Sequence, residues 1–202
     1  MKGSERAILP SINTMVIFAK IFMRIGLIRH FKVDLKRSRF MTAKQFNEYM
    51  KQYDMADVIS NELVIDKEWD KCYCSSMSRA ITTAKTVYHG EIILSDKLME
   101  IPSVAFANMK FYLPYFLWGL LNRFAWSFHL VSQPENRKIT LKRVNEIIDT
   151  ILKEESGNIL IVSHAGALHE IRKLLLQKGF RGERFLGARN GRLYIYKNEN
   201  IS

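Results

Sequence analysis

Four side chains that can bind or attack a phosphoryl group follow short runs of apolar residues. The pair Arg29-His30 comes directly after one such run, His164 follows another, and Arg79 lies shortly after a third. The strands of a parallel sheet end at one edge, and ligands bind in the crevice beyond that edge. The spacing therefore predicts that two arginines and two histidines converge on one site.

The residue types in this group suit phosphoryl transfer. Each arginine presents a planar fork of donors that binds phosphate oxygens in pairs, and Arg29 and Arg79 provide two such forks. An imidazole has an ordinary pKa of about 6.5 and is substantially neutral in the cell, so His30 can act as the nucleophile. His164, when protonated, adds a third cation. Fixed positive charge around the equatorial oxygens is the main means of accelerating phosphate monoester hydrolysis, which is very slow without a catalyst.

An alkoxide leaving group also requires a proton donor. Glu100, in the segment SDKLMEIP, has the best position for this role, and Asp96 in the same segment is the alternative. Burial beside an incoming phosphate anion favours the protonated form of such a carboxyl group, as proton donation requires.

The elements expected to position these residues alternate between strands and helices. Apolar runs predict buried strands, and apolar residues three and four apart predict helices. Thr42 is a candidate N-cap for a helix that has Phe46, Tyr49, Met50 and Tyr53 on one face. Serines before Arg79 are candidate caps for the next helix. The predicted strands are 24–28, 71–75, 91–94 and 158–163, and the predicted helices are 43–53, 79–89, 137–155 and 167–177.

This alternation predicts an α/β fold with three layers, α/β/α, around a mostly parallel central sheet with right-handed crossovers. Near the end of the chain, RFLGARNGRLYIYK predicts two strands joined by a type I′ turn at Asn190-Gly191. The segment 104–130 interrupts the alternation, because it is rich in aromatic residues and has little periodicity.

The bulk composition restricts the class of protein and its partners. The chain has 202 residues, 48% hydrophobic and 25% charged, which is typical of one globular domain or of one domain with an insertion. The formal net charge of +11 favours anionic partners, which include phosphorylated metabolites, nucleic acid and acidic lipid. We expect no nucleic acid partner, because the Lys and Arg residues are spread along the chain without helix-turn-helix or zinc-finger spacing.

Cysteines and apolar runs indicate the compartment. Cys72 and Cys74 alternate in a predicted strand, so both are expected as reduced thiols on one buried face, and their spacing suits neither a disulfide nor a metal site. The apolar runs 7–19 and 111–122 are shorter than the roughly 20 residues that a spanning helix needs. A signal peptide at 7–19 is an alternative, although the run lacks an A-x-A-like cleavage site. We therefore expect a cytoplasmic protein with no membrane partner.

The site motifs also resemble those of a known family. In this order, LIRH, SSMSRAITTA, KLME and IVSHAG resemble the histidine phosphatase superfamily (branch 1), also called phosphoglycerate-mutase-like. The resemblance implies that His30 is phosphorylated during turnover and that Glu100 donates the proton. It further implies neither a metal nor a cofactor for this step. The residues that it implies as phosphate ligands are Arg29, Arg79 and His164.

The resemblance covers residues 23–197 and suggests how the chain is divided. Residues 1–22 are expected to form an N-terminal extension, and residues 23–202 a histidine phosphatase domain. In the family, the region corresponding to 104–130 commonly forms a helical cap over the substrate. This aromatic-rich insertion is therefore expected either to overhang the phosphate pocket or to enlarge the core, and a patch that touches a membrane is a third alternative.

Two positions differ from the usual pattern of the family. Phe31 stands where glycine usually follows the Arg-His pair. The polar residue that often binds the phosphate a few positions later is not evident, so either Lys32, Lys36 or Arg37 replaces it or no residue does.

The resulting hypothesis is a metal-independent phosphatase of the histidine acid type, which hydrolyses a small phosphorylated substrate through a phosphohistidine intermediate. The alternatives are phosphoglycerate mutase-type transfer, a phosphatase acting on phosphoprotein or phosphohistidine, a non-catalytic phosphate-binding module, and a protein that associates with anionic membranes. Turnover of p-nitrophenyl phosphate would separate an enzyme from a binding module.

Overall fold

The structure of the chain is a computed structural model, and it describes residues 23–198 except 61, 62, 64, 66–68, 129, 131, 132 and 155. In chain order the strands are β1 Met23–Arg29, β2 Lys32–Val33, β3 Phe40–Met41, β4 Val58–Ile59, β5 Lys71–Ser75, β6 Ile92–Ser95, β7 Leu113–Pro114, β8 Gly157–Ser163, β9 Phe180–Gly182 and β10 Leu193–Asn198. The helices are α1 Ala43–Met55, α2 Ser78–Val87, α3 Tyr115–Ser127, α4 Arg137–Glu154 and α5 Ala165–Gln177, and Asp96–Leu98 forms a short 3-10 turn.

One mixed sheet positions the candidate site. In the part of the chain that the structure describes, this sheet has six strands in the order β6-β5-β8-β1-β10-β9. Strands β6, β5, β8 and β1 run parallel to one another, whereas β10 is antiparallel to both β1 and β9. Arg29 in β1 lies opposite Ser163 in β8, so these two strands end at the same level. The expected mostly parallel sheet is confirmed.

Helices cover both faces of this sheet. On one face, α4 and α5 pack in the same apolar cluster as Leu27 and Ile161. On the other face, α2 packs in the same cluster as Ile28 and Val162, the next residues along the same two strands. Because successive side chains of a strand point to opposite faces, these strands are apolar on both sides. Burial of each such side chain stabilises the fold by about 1.5–3 kcal/mol. The three-layer architecture is confirmed.

The two cysteines lie where strand alternation places them. Cys72 and Cys74 are both fully buried in the cluster beneath α2, and both are free thiols. Burial raises the pKa of the Cys72 thiol to about 12 and raises that of Cys74 as well. Both thiols therefore stay protonated and unreactive at neutral pH. Their predicted placement on one buried face is confirmed.

The predicted cap is confirmed for one helix and wrong for another. The Thr42 hydroxyl accepts a hydrogen bond from the backbone N–H of Gln45, whose side chain accepts one from the Thr42 N–H, and this capping box begins α1. The N-cap of α2 is Met77, which makes no side-chain hydrogen bond to the helix. The Ser75 hydroxyl contacts a histidine of the candidate site, so a serine expected to cap α2 has a different role.

The predicted hairpin at Asn190-Gly191 is wrong. Strand β10 follows these residues, and its partners are β1 and β9. Strand β9 ends at Gly182, so a long loop that contains Asn190 and Gly191 connects β9 to β10. The Asn190 amide donates to the carbonyls of His30 at 2.7 Å and Phe31 at 3.2 Å. The Gly191 N–H donates to the Arg29 carbonyl at 2.9 Å, with a φ of +61° that glycine adopts readily. Contacts with the end of β1 thus outweigh the local turn preference.

The aromatic-rich segment 104–130 contains β7 and α3, which pack on β3 and α1. Trp118 is fully buried, and its ring stacks on Phe46 with 5.4 Å between centroids. Its indole N–H donates to the Met41 carbonyl at 2.9 Å. These residues belong to a third apolar cluster beside the two clusters of the sheet.

The apolar run 7–19 belongs to residues 1–22, the expected extension, which lie outside the described residues. Within the described ranges, no helix combines the length and the apolar character needed to cross a membrane.

Candidate active site

The ends of β1 and β8 bring the two predicted histidines together. His30 and His164 directly follow these strands, and the His30 backbone N–H donates to the Ser163 carbonyl at 3.0 Å. Their ring centroids are 5.1 Å apart, and both side chains are almost completely buried. Arg79, in the first turn of α2, is also buried, and both Arg79 and His30 contact the ring of Tyr53. Residues from three strand ends therefore meet at one edge of the sheet.

His30 is held in the tautomer that a nucleophile requires. Its Nδ1 lies 2.6 Å from the Phe31 carbonyl oxygen. Because a carbonyl oxygen only accepts, Nδ1 carries the proton and Nε2 keeps its lone pair. Burial lowers the pKa of His30 to about 3, with smaller contributions from His164 and Arg79. The imidazole is therefore neutral at physiological pH, as nucleophilic attack requires.

Both arginines are anchored through one terminal nitrogen. Nη1 of Arg29 donates to the Ala188 carbonyl at 3.0 Å, and Nη1 of Arg79 donates to the Asp54 carboxylate at 3.0 Å. In each guanidinium, Nε is buried and has no partner among the described residues. Nη2 of Arg79 donates to the Met77 sulfur, a weak acceptor, at 3.5 Å. The edge formed by Nε and Nη2, which can bind two phosphate oxygens, is therefore left for a ligand.

His164 contributes a third nitrogen without a partner. Its Nε2 lies 2.8 Å from the Ser75 hydroxyl, whereas its Nδ1 is buried and, within the described part of the chain, unpartnered. Burial and then the charges of Arg79 and Arg29 lower the pKa of His164 well below 6.5. His164 is therefore neutral in this arrangement, and the protonated form expected from the sequence requires a nearby anion to offset burial.

Glu100 lies at the N-terminus of α5. Its Oε1 accepts hydrogen bonds from the backbone N–H groups of Ile101 at 2.9 Å, Gly166 at 3.0 Å and Ala167 at 3.1 Å. Its Oε2 accepts a second contact from Gly166 at 3.2 Å. Both oxygens accept hydrogen bonds from backbone N–H groups in this arrangement. Glu100 lines the main cavity, whereas Asp96, the alternative donor, does not.

The contact with α5 requires a glycine at position 166. A β-carbon there would lie 2.6 Å from Oε1 of Glu100 and 3.2 Å from the Ile101 side chain. The first of these distances is too short for two non-bonded atoms, so a larger residue would displace the carboxylate. The glycine of the IVSHAG motif thus lets the backbone of α5 approach Glu100 closely.

The cavity beside these residues has a volume of about 560 Å³. Arg29, Arg79 and Glu100 line it, while His30 and His164 are only 1% and 0% exposed. Within the described part of the chain, no group of three or more His, Cys, Asp or Glu residues is arranged to hold a metal ion. Helix α3 also contributes to the wall, so segment 104–130 adjoins the site. The apolar part of the wall includes Phe46, Met50, Met99, Ile101 and Tyr115.

Comparison with known families agrees with this arrangement. The sequence profile of the Histidine phosphatase superfamily (branch 1) matches residues 27–200. The chain belongs to this superfamily.

Solved structures share the fold of this histidine phosphatase domain. An alpha-ribazole phosphatase from Shigella flexneri is 20% identical, with a TM-score of 0.52, over 86% of this chain and 89% of that chain. A phosphoglycerate mutase from Bacillus anthracis is 16% identical, with a TM-score of 0.54, over 90% and 93%. A protein described as Mycobacterial hydrolase 2 is 14% identical, with a TM-score of 0.56, over 90% and 85%. Comparison with curated proteins found no match.

The chain accommodates its departures from the family pattern in different ways. Phe31 is fully buried in the cluster beneath α2, so the large side chain occupies core space and not the cavity. The described residues that line the cavity do not include Lys32, Lys36 or Arg37. The Arg37 guanidinium instead lies 4.3 Å from the centre of the Tyr115 ring. None of these three cations replaces the polar phosphate ligand in this arrangement.

Sequence reasoning missed three residues that shape the site. Asp54 anchors Arg79, the Tyr53 ring lies 5.1 Å from the Arg79 guanidinium, and Asn190 binds the His30 carbonyl. Tyr53 was expected only as part of the apolar face of its helix. The contact between Asp54 and Arg79 joins residues 25 apart and has no local signature. For Asn190, the only signal was the following glycine, which indicated a turn.

Proposed function

We propose that this protein is a metal-independent phosphomonoester hydrolase, which acts on a small phosphorylated substrate through a phosphohistidine on His30. One observation carries the proposal: three buried nitrogens that have no partner among the described residues adjoin a neutral imidazole. Buried polar atoms without partners are rare, and a phosphoryl group offers acceptor oxygens for all of them. These nitrogens are Nε of Arg29, Nε of Arg79 and Nδ1 of His164.

In the first step, Nε2 of His30 attacks the phosphorus atom of the bound ester. The bond between nitrogen and phosphorus forms while the bond between phosphorus and the leaving oxygen breaks. Glu100, protonated as the phosphate anion binds, gives its proton to the leaving oxygen, so an alcohol departs and not an alkoxide. The His30 Nδ1 proton remains in its hydrogen bond to the Phe31 carbonyl, which stabilises the positive charge that develops on the ring.

In the second step, a water molecule takes the place of the alcohol. The Glu100 carboxylate accepts a proton from this water as its oxygen attacks the phosphorus atom. The bond between phosphorus and His30 breaks, inorganic phosphate leaves, and the imidazole is neutral again. Two displacements of moderate difficulty thus replace one very slow hydrolysis. In both steps, Arg29 and Arg79 offset the charge on the equatorial oxygens.

The cavity favours a small substrate with a partly apolar body. Its volume of about 560 Å³ lies within the range of about 300–1,000 Å³ that is usual for small-molecule sites. Tyr115 and Gly119 of α3 form part of the wall. We propose that α3 covers the body of the substrate and restricts water during the first transfer, which agrees with the cap that the family resemblance implies.

Phosphoglycerate mutase-type transfer is the second candidate, and Arg123 favours it. This side chain lines the cavity, and its guanidinium lies 4.4 Å from the centre of the Trp126 ring. Its Nη1 lies 3.4 Å from the place of a β-carbon on Gly166, close to Glu100. A cation in this position suits a substrate with a second anionic group, such as a carboxylate. A mutase returns the phosphoryl group to an organic molecule, whereas a hydrolase transfers it to water.

The test is to trap the intermediate. The wild-type protein is mixed with radiolabelled p-nitrophenyl phosphate and denatured during turnover in alkaline detergent. We expect protein-bound label that is stable in alkali and lost in acid, which is characteristic of phosphohistidine. His30→Ala should remove this label, whereas His89→Ala, a matched change at an exposed histidine, should retain it. Activity should persist in EDTA.

Each other outcome has a definite meaning. Label that remains in His30→Ala, or activity that EDTA abolishes, would contradict the proposed mechanism. Binding of the ester without label and without phosphate release would indicate a non-catalytic binding module. Transfer of the label to added phosphoglycerate in preference to water would indicate the mutase.

A further inference from the structure

The outer face of α3 is apolar and exposed. Phe116, Leu120 and Phe124 follow one another at intervals of four residues, which places them on one side of the helix. Their exposed fractions are 72%, 64% and 56%. Phe128 continues the row, and its ring centroid lies 4.3 Å from that of Phe124. A helix that only enlarged the core would bury this row.

Neighbouring segments extend the row into a patch. Phe40 in β3 and Phe116 line the same surface recess, and the residues before β7 add Phe111 and Tyr112, both more than half exposed. A fully exposed aromatic side chain presents about 150–250 Å², so these side chains together expose several hundred Å² of apolar surface. The largest patch on a typical monomer covers about 300–600 Å², and larger ones mark interaction sites.

The surroundings of this aromatic patch are basic. The sequence has no Asp or Glu between Glu100 and Glu135, or between Asp34 and Glu48. The structure joins these two segments, because β3 pairs with β7 and the Tyr115 N–H donates to the Arg39 carbonyl at 3.0 Å. The exposed cations of the two segments are Lys36, Arg37, Arg39, Lys44 and Lys110.

We propose that the aromatic patch docks on the surface of an anionic lipid membrane. Phe and Leu side chains would enter the boundary between headgroups and acyl chains, while Lys and Arg side chains contact the lipid phosphates and carboxylates. The net charge of +11 complements such a surface. The proposal departs from the expectation, drawn from the short apolar runs, of no membrane partner.

A second copy of this chain fits the same face less well. In a symmetric dimer the same patch meets itself, so the cations beside the patch in one copy would approach the cations beside it in the other. Like charges brought together in this way oppose association. An anionic bilayer covers the apolar row and also neutralises the cations beside it.

The proposed contact and the candidate active site involve different residues of α3. Tyr115, Gly119 and Arg123 line the cavity, whereas Phe116, Leu120 and Phe124 are exposed. Helix α3 therefore has one set of residues at the cavity and another at the proposed membrane contact. The membrane proposal thus does not rest on the proposed catalytic activity.

The experiment measures binding of the full chain to lipid vesicles. Vesicles contain either phosphatidylcholine alone or three parts phosphatidylcholine to one part phosphatidylserine, and bound protein is determined by co-sedimentation. The double variant Phe116→Glu with Phe124→Glu removes two members of the row. The matched control, Leu94→Glu with Leu176→Glu, makes the same changes at exposed positions of β6 and α5. Circular dichroism and thermal unfolding verify that every variant is folded.

We expect the wild-type protein and the control to bind the phosphatidylserine vesicles, and to bind less as salt is raised. The Phe116/Phe124 variant should bind about tenfold more weakly or worse. Absence of wild-type binding would overturn the proposal. Equal binding by the double variant would also overturn it, because another part of the chain would then carry the affinity. A wild-type dimer that the double variant dissociates, without vesicle binding, would assign the patch to self-association.

Discussion

Substitution of Glu100 by glutamine separates the chemical role of this side chain from its contacts with α5. Glutamine retains one oxygen that can accept from the backbone N–H groups of Ile101, Gly166 and Ala167. It loses the negative charge, which stabilises a helix N-terminus by about 0.3–1 kcal/mol and by up to about 2 kcal/mol in partly buried geometries. We therefore expect a stability loss of about 1 kcal/mol, which lowers the melting temperature by about 2–4 °C in a chain of this size.

The effect on turnover should be much larger and should depend on the leaving group. A general acid contributes about 10²–10⁴-fold when a poor leaving group must be protonated, so Glu100→Gln should reduce kcat/KM for glycerol phosphate by that factor. p-Nitrophenolate leaves without a proton, so kcat/KM for p-nitrophenyl phosphate should fall by only about tenfold or less. Because kcat/KM covers only the steps through alcohol release, the later attack of water does not enter the comparison.

The assay compares kcat/KM for both esters in the wild type, Glu100→Gln and Asp96→Asn. The Asp96 variant makes the same chemical change at the other carboxylate of the segment, and both of its kcat/KM values should stay near those of the wild type. Equal losses on the two esters in Glu100→Gln would refute the proton-donor role and assign Glu100 to binding or to the N-terminus of α5. A loss confined to glycerol phosphate in Asp96→Asn would transfer the role to Asp96.

Four further predictions concern other residues. Burial lowers the pKa of His30 to about 3, so this side chain takes up its proton on unfolding as pH falls below about 6.5. Its contribution to stability is thus present above about pH 6.5 and lost towards pH 3, with a slope of about 1.4 kcal/mol per pH unit. Urea unfolding at several pH values between about pH 5 and pH 6.5 measures how the free energy of unfolding depends on pH. This dependence should be weaker in His30→Asn than in the wild type and unchanged in the exposed control His89→Asn. An unchanged dependence in His30→Asn would refute the buried neutral form. Trp118→Ala should destabilise the fold by about 3–5 kcal/mol, because the ring is fully buried, and should change activity on large and small esters alike. Tyr115→Ala, in the cavity wall, should reduce activity on large esters alone. A loss on large esters alone in Trp118→Ala, with equal losses on both esters in Tyr115→Ala, would place Trp118 at the substrate. Gly166→Ala should lower kcat/KM for alkyl phosphates, because the added methyl group displaces the Glu100 carboxylate, the proposed proton donor. A kcat/KM equal to that of the wild type would show that the close approach of the α5 backbone to Glu100 is dispensable.

The parts of the structure that were predictable from sequence depend on short-range patterns. Apolar runs placed the strands that precede His30 and His164, and the topology of a parallel sheet made their ends adjacent. Helix α1 follows from the spacing of its apolar residues and from Thr42, whose capping box is complete within three residues. In each case the prediction needs only the sequence of a single element, or the rule that the carboxyl ends of parallel strands meet at one edge of the sheet.

The parts that were not predictable depend on contacts between distant residues. Asn190-Gly191 has a strong local preference for a turn, but the Asn190 amide binds carbonyls about 160 residues earlier in the chain, a contact without local signature. Ser75 resembles a helix cap, yet its hydroxyl contacts His164, which is 89 residues away. Polar side chains such as these have several available partners, and the tertiary structure decides among them.

Three buried nitrogens of the candidate site have no partner among the described residues, and this has a consequence for selection on the sequence. Each buried donor or acceptor without a partner destabilises the fold by about 1–3 kcal/mol, which is a large fraction of the stability of an ordinary domain. A chain selected for stability alone would supply internal partners for Arg29, Arg79 and His164. Inorganic phosphate or vanadate should restore part of this stability and raise the melting temperature as its concentration increases. Substitutions that fill the site with internal hydrogen bonds should therefore yield a more heat-resistant protein that has lost its turnover, so thermostability and activity oppose each other at this edge of the sheet.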